Sequence, residues 1–199
     1  MSLPGSLLCG VDEAGRGPLA GPVFAAAVVL GAGADDIEGI ADSKRLSAAR
    51  RDALARLIKA QAQTWAIASA SVAEIDHMNI LEATMLAMLR AIRQLTLPVG
   101  ARIVIDGVTV PRELPSWAAA RGIEFGAQVR ADAEVRDVGA ASILAKTARD
   151  AFMVALDRRY PQYAFARHKG YGTAAHLAAI AAHGACPEHR MSFAPLRAR

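Results

Sequence analysis

Residues 9–21, CGVDEAGRGPLAG, end an apolar run with two adjacent carboxylates, Asp12 and Glu13, and then set Arg16 between Gly15 and Gly17. A third acid, Asp106, ends a second apolar run, ARIVIDG. Carboxylates gathered at strand ends repel one another, so one keeps its proton unless a divalent cation replaces it. Oxygen-only ligands suit Mg²⁺ or Mn²⁺, and no Cys/His cluster points to a softer metal. Successive strand residues face opposite ways, so aiming both Asp12 and Glu13 at one site requires a bend, which Gly15 can supply. Bare glycines also let backbone N–H groups approach a ligand while Arg16 adds positive charge, a combination that suits a metal beside a phosphate or sugar. The plainer alternatives are that Asp106-Gly107 is a turn dipeptide and that the other acids cap turns or pair with arginine.

These residues need a scaffold, and the hydrophobic pattern supplies one. Apolar runs at 7–11 and 22–30 predict two strands joined as a hairpin, with the VDEAGRG stretch as the loop between them. Ser47 predicts a helix N-cap, followed by a stripe of Leu54, Leu57 and Ile58; TWAIASASV then alternates as a third strand. From Asn79 to Leu97, Leu81, Met85, Met88, Ile92 and Leu95 recur at helical spacing up to Pro98. ARIVIDG and IEFGAQVRAD predict two further strands around a proline-punctuated loop. The stretch VGAASILAKTARDAFMVALDRRY predicts a long helix, QYAFARHKGYGT a loop, and AAHLAAIAAHG a last helix closed by Gly184. Strands that come first and later alternate with helices indicate an α/β fold with a mixed sheet covered by helices.

The bulk properties agree. A chain of 199 residues, 53% hydrophobic and 21% charged, is expected to form one domain over 1–199 without disulfides or structural metal. Its 23 Lys and Arg against 19 Asp and Glu give +4, a mild tilt toward a polyanionic partner. Two isolated cysteines and no apolar run of membrane-spanning length predict reduced thiols and a cytoplasmic protein with no membrane partner. His176 and His183 fall on the last helix as surface or packing residues.

Eight segments in order, GVDEAGRGPLAGPV, DSKRLS, NILEATMLAM, VIDG, AASILAKTARD, YPQYAF, HKGYGT and MSFAP, closely resemble bacterial ribonuclease HII over residues 9–196. The resemblance implies an RNase H-like fold with a C-terminal helical part from about residue 160. It implies an endonuclease that hydrolyses RNA paired with DNA and cuts 5′ of single ribonucleotides in duplex DNA, by two-metal-ion chemistry leaving 3′-OH and 5′-phosphate. Ribonucleotide excision repair and primer removal are the implied cellular tasks. Four carboxylates carry over as metal ligands: Asp12, Glu13, Asp106 and, by spacing from AASILAK, Asp132, with Asp137 the alternative and Glu134 a nearby rival. Ala131 stands where the family usually has glycine. Gly15, Arg16 and Gly17 are implied readers of the ribose 2′-hydroxyl, and Tyr171 the ring that packs on the sugar at the junction. Lys44, Arg45, Lys146, His168 and Lys169 are implied phosphate contacts, with Ser43, Asn79 and Thr84 lining the groove; Asn79 equally suits a helix cap. The implied partners are RNA/DNA hybrids and DNA duplexes containing ribonucleotides; no obligate protein partner is expected, and a monomer is the default expectation.

Overall fold

The computed structural model describes residues 7–34, 37–40 and 46–197. Ser43, Lys44 and Arg45 lie outside the described residues. Five strands form one mixed sheet: β1 (Leu8–Ala14), β2 (Val23–Val29), β3 (Thr64–Ala70), β4 (Arg102–Asp106) and β5 (Glu124–Gln128), in the order β3-β2-β1-β4-β5. β2 runs antiparallel to both β1 and β3, while β4 is parallel to β1 and β5. β1 is thus the central strand. Its register with β4 sets Val11 beside Ile105, which brings the next residues, Asp12 and Asp106, to the same end of the sheet.

Alternation along the strands divides the core in two. Cys9, Val11, Ala25, Ile103 and Ile105 face α3 (Ile80–Arg93), which answers with Met85, Met88, Leu89 and Ile92. On the other face Ala26 and Val28 meet Ile143 and Leu144 of α6 (Arg136–Arg159) together with Leu54 and Ile58 of α1 (Ala48–Gln61). Leu57, expected in the same stripe, points outward. The long helix α6 approaches β1 closely: a Cβ on Gly10 would lie 2.1 Å from the backbone of Asp137 and Val138. Only glycine permits that contact.

Several expectations were too coarse. Asp12 and Glu13 belong to β1 itself, paired across from Ala26 and Ala25, and the loop between the strands begins after Ala14. The small alanine side chains of β2 leave the acids room without ending the ladder. Before α3 stands α2 (Val72–Met78), opened by a reciprocal capping box between Ser71 and Glu74. The proline-punctuated loop holds α4 (Leu114–Ala119), and β5 stops at Gln128 ahead of the short α5 (Ala131–Glu134). The QYAFARHKGYGT stretch contains a 3₁₀ turn and α7 (Phe165–His168), and α8 (Ala174–His183) ends at Gly184 as expected. Among the described residues, no helix is long and apolar enough to cross a membrane.

Candidate active site

Asp12, 6% exposed, and the half-buried Glu13 sit at the carboxyl end of β1 beside Asp106, the last residue of β4. The Glu13 N–H donates to Asp12 Oδ1 at 2.7 Å, so the Asp12 carboxylate folds back along the strand edge toward its neighbour. Burial raises the Asp12 pKa well above the ordinary carboxylate range, and the charge of Glu13, then of Asp106, pushes the same way. The Ser142 hydroxyl of α6 and the Glu13 N–H oppose this by hydrogen bonding. Glu13 is raised too, chiefly by burial, against the pull of Arg16, whose Nη1 lies 3.6 Å from Glu13 Oε1.

The structure separates the two candidates for a fourth acid. Asp132, 3% exposed, opens α5 with its N–H donating to Asp106 Oδ1 at 3.4 Å, which puts it beside the cluster. Asp137 instead accepts the Leu30 N–H at 2.8 Å at the far end of β2, away from the acids. Glu134 accepts from Gln128 Nε2 at 2.7 Å on the exposed rim. Ala131 is completely buried, following Arg130 in a left-handed conformation. The backbone reversal a glycine would ease is therefore made one residue earlier.

Among the described residues, no three acidic, histidine or thiol side chains are closed into a finished metal cage. The donors nonetheless fit a hard divalent cation by chemistry. They are carboxylates alone, partly desolvated, and burial together with the Asp106 charge raises the pKa of both Asp12 and Glu13, a cost of ionisation that a cation would relieve.

The loop of residues 15–21 is held from beneath by two buried arginines that sequence reasoning did not single out. Arg190, fully buried, donates to the carbonyls of Gly15 (2.6 Å), Arg16 (2.9 Å), Pro18 (2.8 Å) and Gly21 (2.7 and 2.9 Å). Arg149 of α6, 1% exposed, donates to the carbonyls of Ala20, Pro22 and Lys169. Gly15, at φ +102°, makes space for it: a Cβ there would lie 2.0 Å from Arg149 Nε. With its carbonyls turned down onto arginine, the loop carries Arg16 and Gly17 outward, both exposed. The available signal was Arg149 inside the AASILAKTARD segment and Arg190 just before MSFAP, charges within runs otherwise matched to the family.

Two clefts meet at Glu13. One, about 350 Å³, is lined by Gly15, Arg51, Ser142, Lys146 and Tyr171. The other, about 260 Å³, is lined by Arg16, Met85, Asp106 and Thr109. Tyr171, 47% exposed, overlooks the first, with a ring carbon 3.7 Å from where a Gly17 Cβ would stand. Lys146 pairs with Asp150 at 2.7 Å, and Arg51 lies 3.7 Å from the same carboxylate, giving this cleft a basic wall.

Other expected residues are placed elsewhere. Asn79 caps α3, its Oδ1 accepting from Leu81 and Glu82 N–H. Thr84 is fully buried and donates to the Ile80 carbonyl at 2.7 Å. His168 spends both ring nitrogens on backbone, Nε2 on the Tyr163 carbonyl at 2.7 Å and Nδ1 on the Gly170 N–H at 3.2 Å. Lys169 Nζ donates to the Ala166 carbonyl.

The sequence profile of the Ribonuclease HII family matches residues 9–196. The chain belongs to the ribonuclease HII family. It is 59% identical over 192 residues to the ribonuclease HII of Chromobacterium violaceum, covering 96% of this chain and 92% of that one. Its fold is also that of the ribonuclease H2 of Pyrococcus horikoshii (TM-score 0.75, 28% identity, 96% and 95% of the two chains). A Bst ribonuclease HIII structure in complex with Mn²⁺ shares the fold at 19% identity (TM-score 0.69), covering 96% of this chain and 68% of that one. Family membership makes the protein a ribonuclease H, an endonuclease of RNA–DNA hybrids.

Proposed function

We propose that this ribonuclease H cuts the phosphodiester 5′ of a ribonucleotide, alone in duplex DNA or within a hybrid strand, leaving a 3′-hydroxyl and a 5′-phosphate. The observation that carries this reading is the adjacency of the outward Gly15-Arg16-Gly17 backbone to Glu13 on one side and the Tyr171 ring on the other. A 2′-hydroxyl is what distinguishes RNA from DNA at one sugar. Backbone groups of residues 15–17 hydrogen-bond to it, and Tyr171 packs against the adjoining deoxyribose. The phosphate on the 5′ side of that ribonucleotide then lies over Asp12, Glu13 and Asp106, so recognition and cleavage share one position.

Asp12, Glu13, Asp106 and Asp132 would hold divalent cations, Mg²⁺ or Mn²⁺, as the carboxylate donor set favours. When bound, such ions lower the pKa of an attacking water and stabilise charge on the leaving oxygen. Loading would favour the ionised forms of Asp12 and Glu13, whose pKa values burial raises. Arg16, paired to Glu13, limits the negative charge that an incoming phosphate meets. Lys146 and Arg51 line the path of the strand and add affinity that is independent of base sequence and weakened by salt.

The test is cleavage of an end-labelled DNA duplex containing one ribonucleotide, with Mg²⁺ or Mn²⁺, beside an Asp106→Asn variant. The expected cut falls immediately 5′ of the ribonucleotide, carries a 3′-hydroxyl, and disappears in the variant. A cyclic phosphate product, or cutting that survives Asp106→Asn, would refute the reading.

A further inference from the structure

The HKGYGT loop that carries Tyr171 is supported by a cluster of three histidines, two of them buried, none of which touches the carboxylates. His176 is 0% exposed and His189 1% exposed, and their Nε2 atoms lie 3.1 Å apart. His168 stacks on His176 at 4.4 Å with 21° between the rings, and Tyr163 packs edge-on against His189 at 4.8 Å. With both rings fixed, the positions of their protons follow from the groups at the two ends.

At one end His176 Nδ1 lies 2.9 Å from the Tyr171 carbonyl oxygen. That oxygen has no proton to offer, so Nδ1 must carry one and Nε2 is left bare in the neutral ring. At the other end the Cys186 N–H points at His189 Nδ1 from 2.9 Å. The Cys186 carbonyl and sulfur also border that nitrogen, at 3.3 and 3.1 Å, but the backbone N–H can only donate and is aimed at Nδ1 from closer than either. Nδ1 of His189 is therefore the acceptor, and its proton sits on Nε2. The two ends, argued separately, demand a donor and an acceptor that meet in the middle.

We propose that His176 and His189 form a one-directional hydrogen-bond relay, from the Cys186 N–H through both rings to the Tyr171 carbonyl, and act as positioning residues for the Tyr171 ring. This rests on the role given to Tyr171 above. The carbonyl is also held by the Thr173 N–H at 2.8 Å, and the Tyr171 N–H donates to the His168 carbonyl at 3.0 Å, so the residue is pinned on both sides of its Cα. The side chain, half exposed, then has a fixed base from which to face the cleft.

Nitrogen-15 NMR of the histidine-labelled protein reads the relay without reference to activity. His176 is expected to be protonated at Nδ1 alone, the rarer tautomer, and His189 at Nε2 alone. A His176 ring protonated at Nε2, or a cationic ring in either residue at pH 7.5, would overturn the relay. Kinetics on the single-ribonucleotide duplex then read its purpose. An amide can stand in for one ring nitrogen, so His176→Asn keeps a donor near the Nδ1 position while His176→Gln does not. The Gln variant should lose about five- to tenfold in kcat/KM, the worth of one hydrogen bond, and the Asn variant less than about twofold by the same reasoning.

A double-mutant cycle with Tyr171→Ala separates positioning from general stability. The Gln effect should vanish when Tyr171 is already alanine. If Tyr171→Ala is harmful and His176→Gln adds its full loss on top, the positioning role is refuted and the reading of Tyr171 stands. If Tyr171→Ala is silent, the tyrosine has no part in cleavage, and the positioning role falls with it.

Discussion

Replacing Arg190 by methionine tests whether the loop of residues 15–21 is built from below. Methionine follows the arginine stem as far as Nε, so what is lost is mainly the guanidinium and its hydrogen bonds. Four carbonyl oxygens, of Gly15, Arg16, Pro18 and Gly21, lose their donor. Each buried acceptor left unpaired costs about 1–3 kcal/mol. The carbonyls of Pro18 and Gly21 are fully enclosed with the guanidinium, whereas the contacts to Gly15 and Arg16 are only part-buried, so water can partly replace the donor there. Against this, methionine removes a buried cation whose own desolvation, aggravated by nearby Arg149, depresses its pKa. That removal returns a few of the kcal/mol, as replacement of buried charges by apolar groups commonly does.

The net expectation for Arg190→Met is a loss of about 3–5 kcal/mol, since the two enclosed carbonyls alone cost about 1–3 kcal/mol each when left unpaired. This is a large fraction of the ~5–15 kcal/mol that holds a typical domain. Urea unfolding followed by far-UV circular dichroism should show the midpoint lowered by about 2 M, using ~2 kcal/mol per molar as the slope. Arg190→Lys should fall between, since an ammonium has three donors from a single point and cannot span four carbonyls. A loss below about 1 kcal/mol, the worth of one ordinary hydrogen bond, would refute the idea that Arg190 organises the loop.

Two further outcomes are expected. Gly10→Ala would drive a methyl into the α6 backbone and force that helix off β1, at a cost of about 3 kcal/mol or more, visible as a lowered melting temperature; an unchanged melting temperature would contradict the close contact at 2.1 Å. Because burial and like charge hold protons on Asp12 and Glu13 above the usual carboxylate range, a divalent cation must displace them. Affinity for Mn²⁺ measured by calorimetry should therefore rise with pH, by up to about tenfold per unit for each proton displaced, and level off once both acids are ionised. An affinity independent of pH through the acidic range would contradict the crowding of the acids.

The acids were legible because charge is conspicuous at the end of an apolar strand. That Asp12 and Glu13 lie inside β1 was not, since the pattern marks where hydrophobicity stops and the hydrogen-bond ladder continues past it opposite the alanines of β2. The preference for Asp132 over Asp137 came from family spacing, and physical reasoning about the sequence could not have supplied it. Both are acids near a helix start, and only tertiary contact separates one beside Asp106 from one tied to Leu30. The supports were hardest to read. Arg149, Arg190, His176 and His189 look solvated by type, yet all are buried, each serving backbone groups distant in sequence or another buried ring. A composition rule places such residues outside because it has no knowledge of carbonyls brought in from elsewhere. His168 and Thr84 show the converse, polar residues in matched segments whose hydrogen bonds are spent internally.

The contact between Arg190 and the 15–21 loop spans almost the whole chain, and this orders events during synthesis. At ~5–20 residues per second, the loop leaves the ribosome about 10 s or more before the arginine that fastens it. Until then β1 and β2 can pair locally, but the carbonyls of Gly15, Arg16, Pro18 and Gly21 lack the donor that Arg190 supplies. Cleavage by the nascent chain is therefore expected only once the segment around Arg190 has been translated and docked, even with the acidic residues already made. Truncation near residue 190 should act as a loss of function out of proportion to the few residues removed.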